Sequence, residues 1–244
     1  MDYINFKAHF KENFSLNGLD SYVTDENIEL FYALTEKMLE VNQTMNVTAI
    51  RDIEKIIPLH YADCVKIAKH IPEGAKVIDI GCGGGFPTLP LAIVRKDIQI
   101  IGVDSTSKKV KYVSDIAKYL KLHHVKTIAS RAEELINTPH MRENFDVVIS
   151  RAVARLNILN ELCIPFVKIG GKTVYMKGAA GNEELLEAQS GIQKLGGVKQ
   201  HMIEEILYVT NEYTEKRIQI IIEKGSGTPT QYPRSFGQIK KKPL

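Results

Sequence analysis

The stretch Asp79-Ile80-Gly81-Cys82-Gly83-Gly84-Gly85-Phe86-Pro87 decides the fold of this chain. It completes an apolar run, residues 76–80, that has the length of a buried strand, and it opens an apolar segment, residues 87–95, that predicts a helix. Glycines at such a junction allow a sharp turn and let the backbone approach a ligand closely. The stretch therefore predicts a strand, a ligand-binding loop and a helix in succession.

A carboxylate follows the glycine loop at the end of the next predicted strand. That strand covers residues 98–104 and ends on Asp104. A carboxylate at this position can accept hydrogen bonds from both ribose hydroxyls of an adenosine group. A tight turn without a ligand would explain the glycines alone, but the strand, the helix and the acid together favour an adenosine-containing ligand.

The residue two positions before Gly81 helps to choose between adenosine ligands. Dinucleotide-binding loops rest a pyrophosphate on the helix N-terminus and often have an apolar residue where this chain has Asp79. An acid suits a ligand that carries an ammonium group. S-adenosylmethionine has an ammonium group and a sulfonium cation but no phosphate, so the pattern favours it over a dinucleotide.

Strand-length apolar runs alternate with amphipathic segments from residue 76 onward, which is typical of a parallel sheet with helices on both faces. Further strands are predicted over residues 125–129, 145–150 and 172–177, and further helices over 107–120, 132–137, 152–168 and 182–195. Two strands, 198–210 and 217–223, then follow with no helix between them and predict an antiparallel hairpin. The pattern predicts an α/β, Rossmann-like class I methyltransferase fold with a mostly parallel twisted sheet.

The segments on either side of this alternation are expected to be additions to a single structural domain. Residues 1–70 predict a short helical N-terminal extension packed on the core, with a helix capped at Thr24 and a second short helix from residue 60 to before Pro72. The apolar stripe of the first helix is Ile28, Phe31, Leu34 and Met38. Residues 71–224 would form the S-adenosylmethionine-binding domain, and residues 225–244 a basic surface tail.

Composition limits the class of protein. With 44% hydrophobic residues the chain can bury a core, and its formal charge of +3 is too small to indicate a nucleic-acid partner on its own. Its three cysteines lack CxxC spacing and are expected to be free thiols in a reducing compartment. No apolar run approaches the ~20 residues that cross a bilayer. We therefore expect a cytoplasmic protein without membrane contact, and no bound metal, because no group of possible ligands has metal-site spacing.

The segment after the fourth predicted strand bears on the acceptor of the methyl group. Ser150-Arg151-Ala152-Val153-Ala154 has neither the proline pair that holds an exocyclic amine nor a cysteine that could attack a pyrimidine ring. The acceptor should therefore be nucleophilic already, and guanine N7 fits because it carries no proton to remove; other ring nitrogens and hydroxyls stay open. Arg151 could contact the methionine carboxylate or hold a base oxygen, or form a salt bridge to a neighbouring helix.

Beyond these single features, the chain resembles the small-subunit ribosomal RNA guanine-N7 methyltransferases, also called glucose-inhibited division protein B (RsmG/GidB), over nearly its whole length. The matching pieces are Asn42-x-x-x-Asn46-Val47-Thr48, His60-Tyr61-Ala62-Asp63, Asp79-Ile80-Gly81, Gly85-Phe86-Pro87, Pro90-Leu91-Ala92-Ile93, Asp104-Ser105, Lys108-Lys109, Arg131-Ala132-Glu133, Ser150-Arg151-Ala152 and Lys177-Gly178. The tail departs from the family pattern at Gly237-Gln238-Ile239, and Val41 stands where the family commonly has Trp.

The resemblance implies S-adenosylmethionine as methyl donor and N7 of one guanine in 16S ribosomal RNA, alone or in the small ribosomal subunit, as acceptor. Arg151 would position the reacting groups. The residues expected to bind the cofactor are Asp79, Gly81, Gly83, Gly85, Phe86, Asp104, Ser105, Ala132, Glu133 and Arg151. Those expected to contact RNA are Lys108, Lys109, Arg234, Lys240, Lys241 and Lys242.

Several of these residues also have a purely structural explanation, and two rival functions remain. The lysines could simply solvate the surface, and the tail could be a disordered end. The pair His60 and Asp63 could orient RNA or the cofactor, but we interpret it as structural. A methyltransferase for a small molecule and a non-catalytic RNA-binding assembly factor with a vestigial pocket are the two rival functions. A basic tail and an open cleft favour RNA over a small molecule.

Overall fold

A seven-stranded mixed sheet forms the centre of the computed structural model, which describes residues 1–244. The strand order is β3-β2-β1-β4-β5-β7-β6. Strands β1 to β5 pair in parallel, and β7 pairs antiparallel with both β5 and β6. The strands are Lys76–Ile80 (β1), Gln99–Asp104 (β2), Val125–Ala129 (β3), Phe145–Arg151 (β4), Val167–Lys177 (β5), Gly197–Tyr208 (β6) and Thr214–Lys224 (β7).

Helices cover both faces of the sheet, as the alternating sequence pattern predicts. They are Tyr3–Leu16 (α1), Asp25–Val41 (α2), Ile53–Ile56 (α3), Asp63–Val65 (α4), Thr88–Val94 (α5), Ser107–Tyr119 (α6), Ala132–Leu135 (α7), Leu156–Cys163 (α8), Gly181–Lys194 (α9) and Phe236–Lys241 (α10). Successive residues of β1 point to opposite faces, so Val77 joins one buried cluster and Ile78 the other.

An aromatic core ties the N-terminal helices to the glycine loop. Phe6, Phe10 and Phe14 repeat every four residues on α1, and all three are buried. Phe14 contacts Phe31 of α2, whose ring lies 4.7 Å from that of Tyr61. Tyr61 in turn lies 6.3 Å from Phe86 of the glycine loop. The N-terminal segment therefore shares one core with the sheet and supports the loop.

Two helix predictions are wrong in extent. The helix expected from residue 60 is part of a continuous helical stretch that starts at Ile53, where the Asp52 side chain accepts a hydrogen bond from Glu54 N, and passes through one wider π-helical segment, Ile57–Ala62. The helix expected over residues 152–168 spans only Leu156–Cys163. A short 3-10 turn with Pro165 ends it, and β5 begins five residues earlier than expected, at Val167 instead of Lys172.

The tail is not a loose surface segment. Residues 236–241 form α10, which buries Ile239 completely and packs against α8. Arg234 makes an ion pair of 2.6 Å with Glu161, a carboxylate with no exposed surface. An uncompensated buried carboxylate would be costly, so this pair fixes the tail to the domain.

Candidate active site

A cavity of about 490 Å³ opens at the carboxyl ends of the first four strands, where open α/β sheets bind their ligands. Four chain segments form most of its surface: residues 80–84, 103–105, 130–133 and 151–153. The remaining lining residues are Val47, Thr48, His60, Phe86, Lys109, Leu162 and Phe236. We call this space the glycine-loop cavity; its volume lies within the range of small-molecule sites.

The glycine loop turns sharply beneath this cavity. Gly81 and Gly83 have φ of +80° and +52°, and the N–H of Gly81 donates to Val103 O at 2.8 Å, which ties the loop to β2. Gly85 does not line the cavity, contrary to expectation. A Cβ on Gly85 would lie 2.6 Å from Leu89, so this glycine allows helix α5 to approach the loop.

Asp104 lies in the cavity wall at the tip of β2, with its carboxylate held from two sides. Gly83 N donates to one of its oxygens at 3.0 Å, and Thr106 N donates to the other at 2.8 Å. Each carboxylate oxygen can accept more than one hydrogen bond, so further acceptor capacity remains on both. The adjacent Ser105 also lines the cavity.

Asp79 lies below the loop and not on the cavity surface. Its side chain is fully buried, and it accepts a hydrogen bond of 2.6 Å from Thr88 Oγ1 of α5. Burial raises the pKa of Asp79 to about 7, although the Thr88 hydrogen bond opposes the change. The expectation that Asp79 touches the ammonium group directly is therefore corrected: its carboxylate has no exposed surface from which to do so.

The opposite end of the cavity lies at the tip of β3. Ala132 and Glu133 line it together with Ser130 and Arg131, as the sequence placed them. The sequence did not indicate Phe236 of α10, which lines this end of the cavity and whose ring faces the Arg131 guanidinium at 5.8 Å. Its position follows from the tail being fixed to α8.

A hydrogen-bonded cluster forms the end of the cavity near β4. Arg151 donates from Nη2 to His60 Nδ1 at 3.0 Å and from Nη1 to Asp63 Oδ2 at 3.3 Å. Arg217, far along the chain on β7, donates from Nε to Asp63 Oδ1 at 3.1 Å. The His60 ring stacks on Phe86 with centroids 4.4 Å apart. His60 and Asp63 thus both hold Arg151 in place, and their structural interpretation stays a prediction.

Histidine protonation in this cluster is governed by burial. Burial, and then the charge of Arg151, lower the pKa of His60 to about 3. His60 is therefore neutral at ordinary pH. Burial also raises the pKa of the Cys82 thiol in the glycine loop well above its usual range, so a nucleophilic thiolate is not formed there.

A second cleft, of about 620 Å³, lies beside the glycine-loop cavity. Four residues line both spaces and form a shared wall: His60, Arg151, Ala152 and Val153. Ala152 has φ of 55°, a left-handed conformation that costs a non-glycine residue roughly 1 kcal/mol and is concentrated at functional sites. The far side of the second cleft includes Arg155, Lys177 and Arg217.

The expected RNA-contacting residues lie in three different settings. Lys109 lines the glycine-loop cavity, and Lys108, Lys240, Lys241 and Lys242 are exposed. Arg234 is paired with buried Glu161, so its charge is already neutralised within the protein and we no longer count it among these residues.

The structure contains no group of three or more His, Cys, Asp or Glu side chains arranged to hold a metal ion. None of its helices has the length and apolarity to cross a membrane.

Comparison with known proteins gives consistent matches over most of the chain. Residues 27–227 match the family model described as rRNA small subunit methyltransferase G. The ribosomal RNA small subunit methyltransferase G of Clostridium novyi is 40% identical over 95% of this chain and 95% of its own length. The protein of the same name from Clostridium tetani is 38% identical over 90% of this chain and 92% of its own length.

Solved structures match the fold at low sequence identity. An SAM-dependent O-methyltransferase from Thermotoga maritima superposes with a TM-score of 0.53 at 16% identity, covering 79% of this chain and 72% of that one. Geranyl diphosphate C-methyltransferase from Streptomyces coelicolor superposes with a TM-score of 0.50 at 14% identity, covering 67% of this chain and 78% of that one. The predicted class I methyltransferase fold is thereby confirmed.

Proposed function

The chain belongs to the rRNA small subunit methyltransferase G family, and from this premise we propose that it transfers a methyl group to N7 of one guanine in 16S ribosomal RNA. As a member of the family it is an S-adenosylmethionine-dependent methyltransferase of small-subunit ribosomal RNA. The acceptor atom, the residues that act on it and a cytoplasmic place of action are our proposal.

The hydrogen-bonded cluster of His60, Asp63 and Arg151 is the observation that carries the choice of N7. Asp63 is buried and its carboxylate is ion-paired with both Arg151 and Arg217, and both ring nitrogens of His60 are hydrogen-bonded. Neither group is free to take a proton from an acceptor. A hydroxyl or an amine would need such a base, whereas guanine N7 presents a free lone pair.

The residues of the glycine-loop cavity fit S-adenosylmethionine. Asp104 presents a fixed carboxylate for the ribose hydroxyls, and Ala132 and Glu133 lie beyond it, where the adenine would be held. The cluster around Arg151 lies at the other end, beside Gly81, for the amino-acid portion. When bound, the cofactor supplies an electrophilic methyl group on a sulfonium cation.

Catalysis by this chain then consists of alignment and exclusion of water. We place the acceptor guanine in the second cleft, because only the shared wall separates that cleft from the glycine-loop cavity. Arg151 faces both spaces and offers N–H donors to guanine O6, which lies next to N7. Its bonds to His60 and Asp63 hold the guanidinium in one orientation.

Exposed cations around the two openings would contact the phosphate backbone. Lys108 and Lys109 lie at the start of α6, and Lys240, Lys241 and Lys242 lie on and just beyond α10, on two sides of the glycine-loop cavity. Neutralising phosphates in this way releases counterions, so RNA binding should weaken as the salt concentration rises.

We treat residues 1–70, 71–224 and 225–244 as parts of one functional unit, because both ends of the chain contribute residues to the cavity.

Analysis of 16S ribosomal RNA by mass spectrometry tests the function. RNA from cells that lack this protein should be missing one 7-methylguanosine, and wild-type protein with S-adenosylmethionine should restore it in vitro. An Arg151→Ala variant should not restore it. Unchanged 7-methylguanosine content in the deleted strain would refute the proposal, and methylation of metabolite pools instead of RNA would establish the small-molecule alternative. A calorimetric titration of S-adenosylmethionine without heat would favour a non-catalytic assembly factor.

A further inference from the structure

The loop after α2 is fixed against the cavity by a single buried asparagine. Asn42 Oδ1 accepts hydrogen bonds from Val47 N at 2.8 Å and Thr48 N at 3.1 Å, and its Nδ2 donates to Thr48 O at 3.0 Å. Asn42 itself is buried at the end of the helix. Val47 and Thr48 line the glycine-loop cavity, so the asparagine determines where both residues stand.

The protonation of His60 determines what the Thr48 hydroxyl can do. A guanidinium has only donors, so the contact of 3.0 Å between Arg151 Nη2 and His60 Nδ1 requires Nδ1 to accept. The ring is neutral, and its hydrogen is therefore on Nε2. His60 Nε2 lies 2.7 Å from Thr48 Oγ1 and must donate to it.

Both acceptor positions of the Thr48 hydroxyl are then occupied. It accepts from His60 Nε2 at 2.7 Å and from Ile50 N at 3.0 Å. A hydroxyl has two lone pairs and one hydrogen, so its hydrogen must point away from both donors. No protein group accepts that hydrogen, and the residue is half-buried in the cavity wall. Thr48 is thus a hydrogen-bond donor whose direction is set by His60 and Ile50.

We propose that Thr48 donates this hydrogen bond to the carboxylate of the amino-acid portion of S-adenosylmethionine. The proposal rests on the proposed function, because Asp104 and Glu133 assign the ribose and adenine to the far end of the cavity. Thr48 lies at the near end with Arg151, next to Gly84, where a Cβ would come within 2.7 Å of Val47 O. Of the charged groups on the amino-acid portion, only the carboxylate accepts hydrogen bonds, and the Arg151 cation favours it there.

A thermodynamic cycle between protein and ligand tests this contact. Binding of S-adenosylhomocysteine and of its decarboxylated analogue, which keeps the ammonium group, would be measured by calorimetry on wild-type, Thr48→Val and Thr48→Ser proteins. A hydrogen bond to a charged group corresponds to about a 10- to 100-fold change in Kd. Thr48→Val should weaken S-adenosylhomocysteine by that factor and the analogue by much less, and Thr48→Ser should bind like wild type.

The outcomes separate this contact from other effects. Equal weakening of both ligands by Thr48→Val would overturn the proposal, since it would mark a general disturbance of the cavity. Equal affinity of the wild-type protein for both ligands would overturn it without any variant. Failure of the wild-type protein to bind S-adenosylhomocysteine at all would instead overturn the proposed function.

Discussion

Replacing Asp104 by alanine perturbs the contact on which the orientation of the cofactor depends. Its two oxygens are held by Gly83 N at 3.0 Å and Thr106 N at 2.8 Å, so the carboxylate is already oriented before a ligand enters. Two hydrogen bonds from ribose hydroxyls to a charged acceptor contribute about 3 to 5 kcal/mol together. The Kd for S-adenosylhomocysteine should therefore rise roughly 100- to 5,000-fold.

The assay must separate lost binding from lost folding. Removing the carboxylate also leaves two backbone N–H groups without an acceptor, at a cost of about 1 to 3 kcal/mol in the free energy of unfolding. A urea titration should therefore first show that the variant is folded, and calorimetry then measures its Kd for S-adenosylhomocysteine. Asp104→Asn, which keeps one oxygen but loses the charge, should give an intermediate Kd. Asp115→Ala is the matched control, because that exposed carboxylate on α6 pairs only with Lys111. An Asp104→Ala variant whose Kd stays within about twofold of the wild-type value would refute the ribose assignment.

Three further predictions concern the residues around the site. Arg151→Lys keeps the charge but loses the guanidinium that bonds to both His60 and Asp63. The rate at which tritium-labelled methyl groups are transferred to 16S ribosomal RNA should therefore fall about 100-fold. An unchanged rate would exclude a positioning role for Arg151. Arg234→Ala leaves buried Glu161 without its cation and should lower the free energy of unfolding in urea by about 3 kcal/mol, whereas a free tail would show no change. The pKa of Asp79, raised by burial to about 7, means that the folded protein binds this proton more tightly than the unfolded chain. Stability should therefore fall as pH rises from about 4 to 7, by on the order of 4 kcal/mol, and Asp79→Asn should remove that fall; identical pH profiles would contradict it.

The central strands and the glycine loop could be predicted because their signals are local. The run Lys76–Ile80, the loop that follows and Asp104 at the tip of β2 lie where periodicity and turn chemistry placed them. Helix extents were less predictable. The stretch beginning at Ile53 depends on a cap by Asp52 and on a π-helical segment that accommodates Pro58 within the helical stretch.

The parts of the site that sequence reasoning missed depend on long-range contacts. Asp79 has the position of a ligand-binding acid, but Thr88 and the covering loop bury it. Phe236 reaches the cavity because Arg234 pairs with a carboxylate on α8, and nothing in a Gly-, Pro- and Lys-rich tail indicates that partner. Thr48 belongs to a motif that carried the family resemblance, yet its donor role follows only from the hydrogen bonds that surround it.

A crystal structure of the protein with S-adenosylhomocysteine would test the central claim most directly. The ribose hydroxyls should lie within hydrogen-bonding distance of Asp104, with the adenine between Ala132 and Phe236 and the sulfur facing the second cleft. A ligand bound in the reverse direction, or a glycine-loop cavity that stays empty at saturating ligand, would contradict the account.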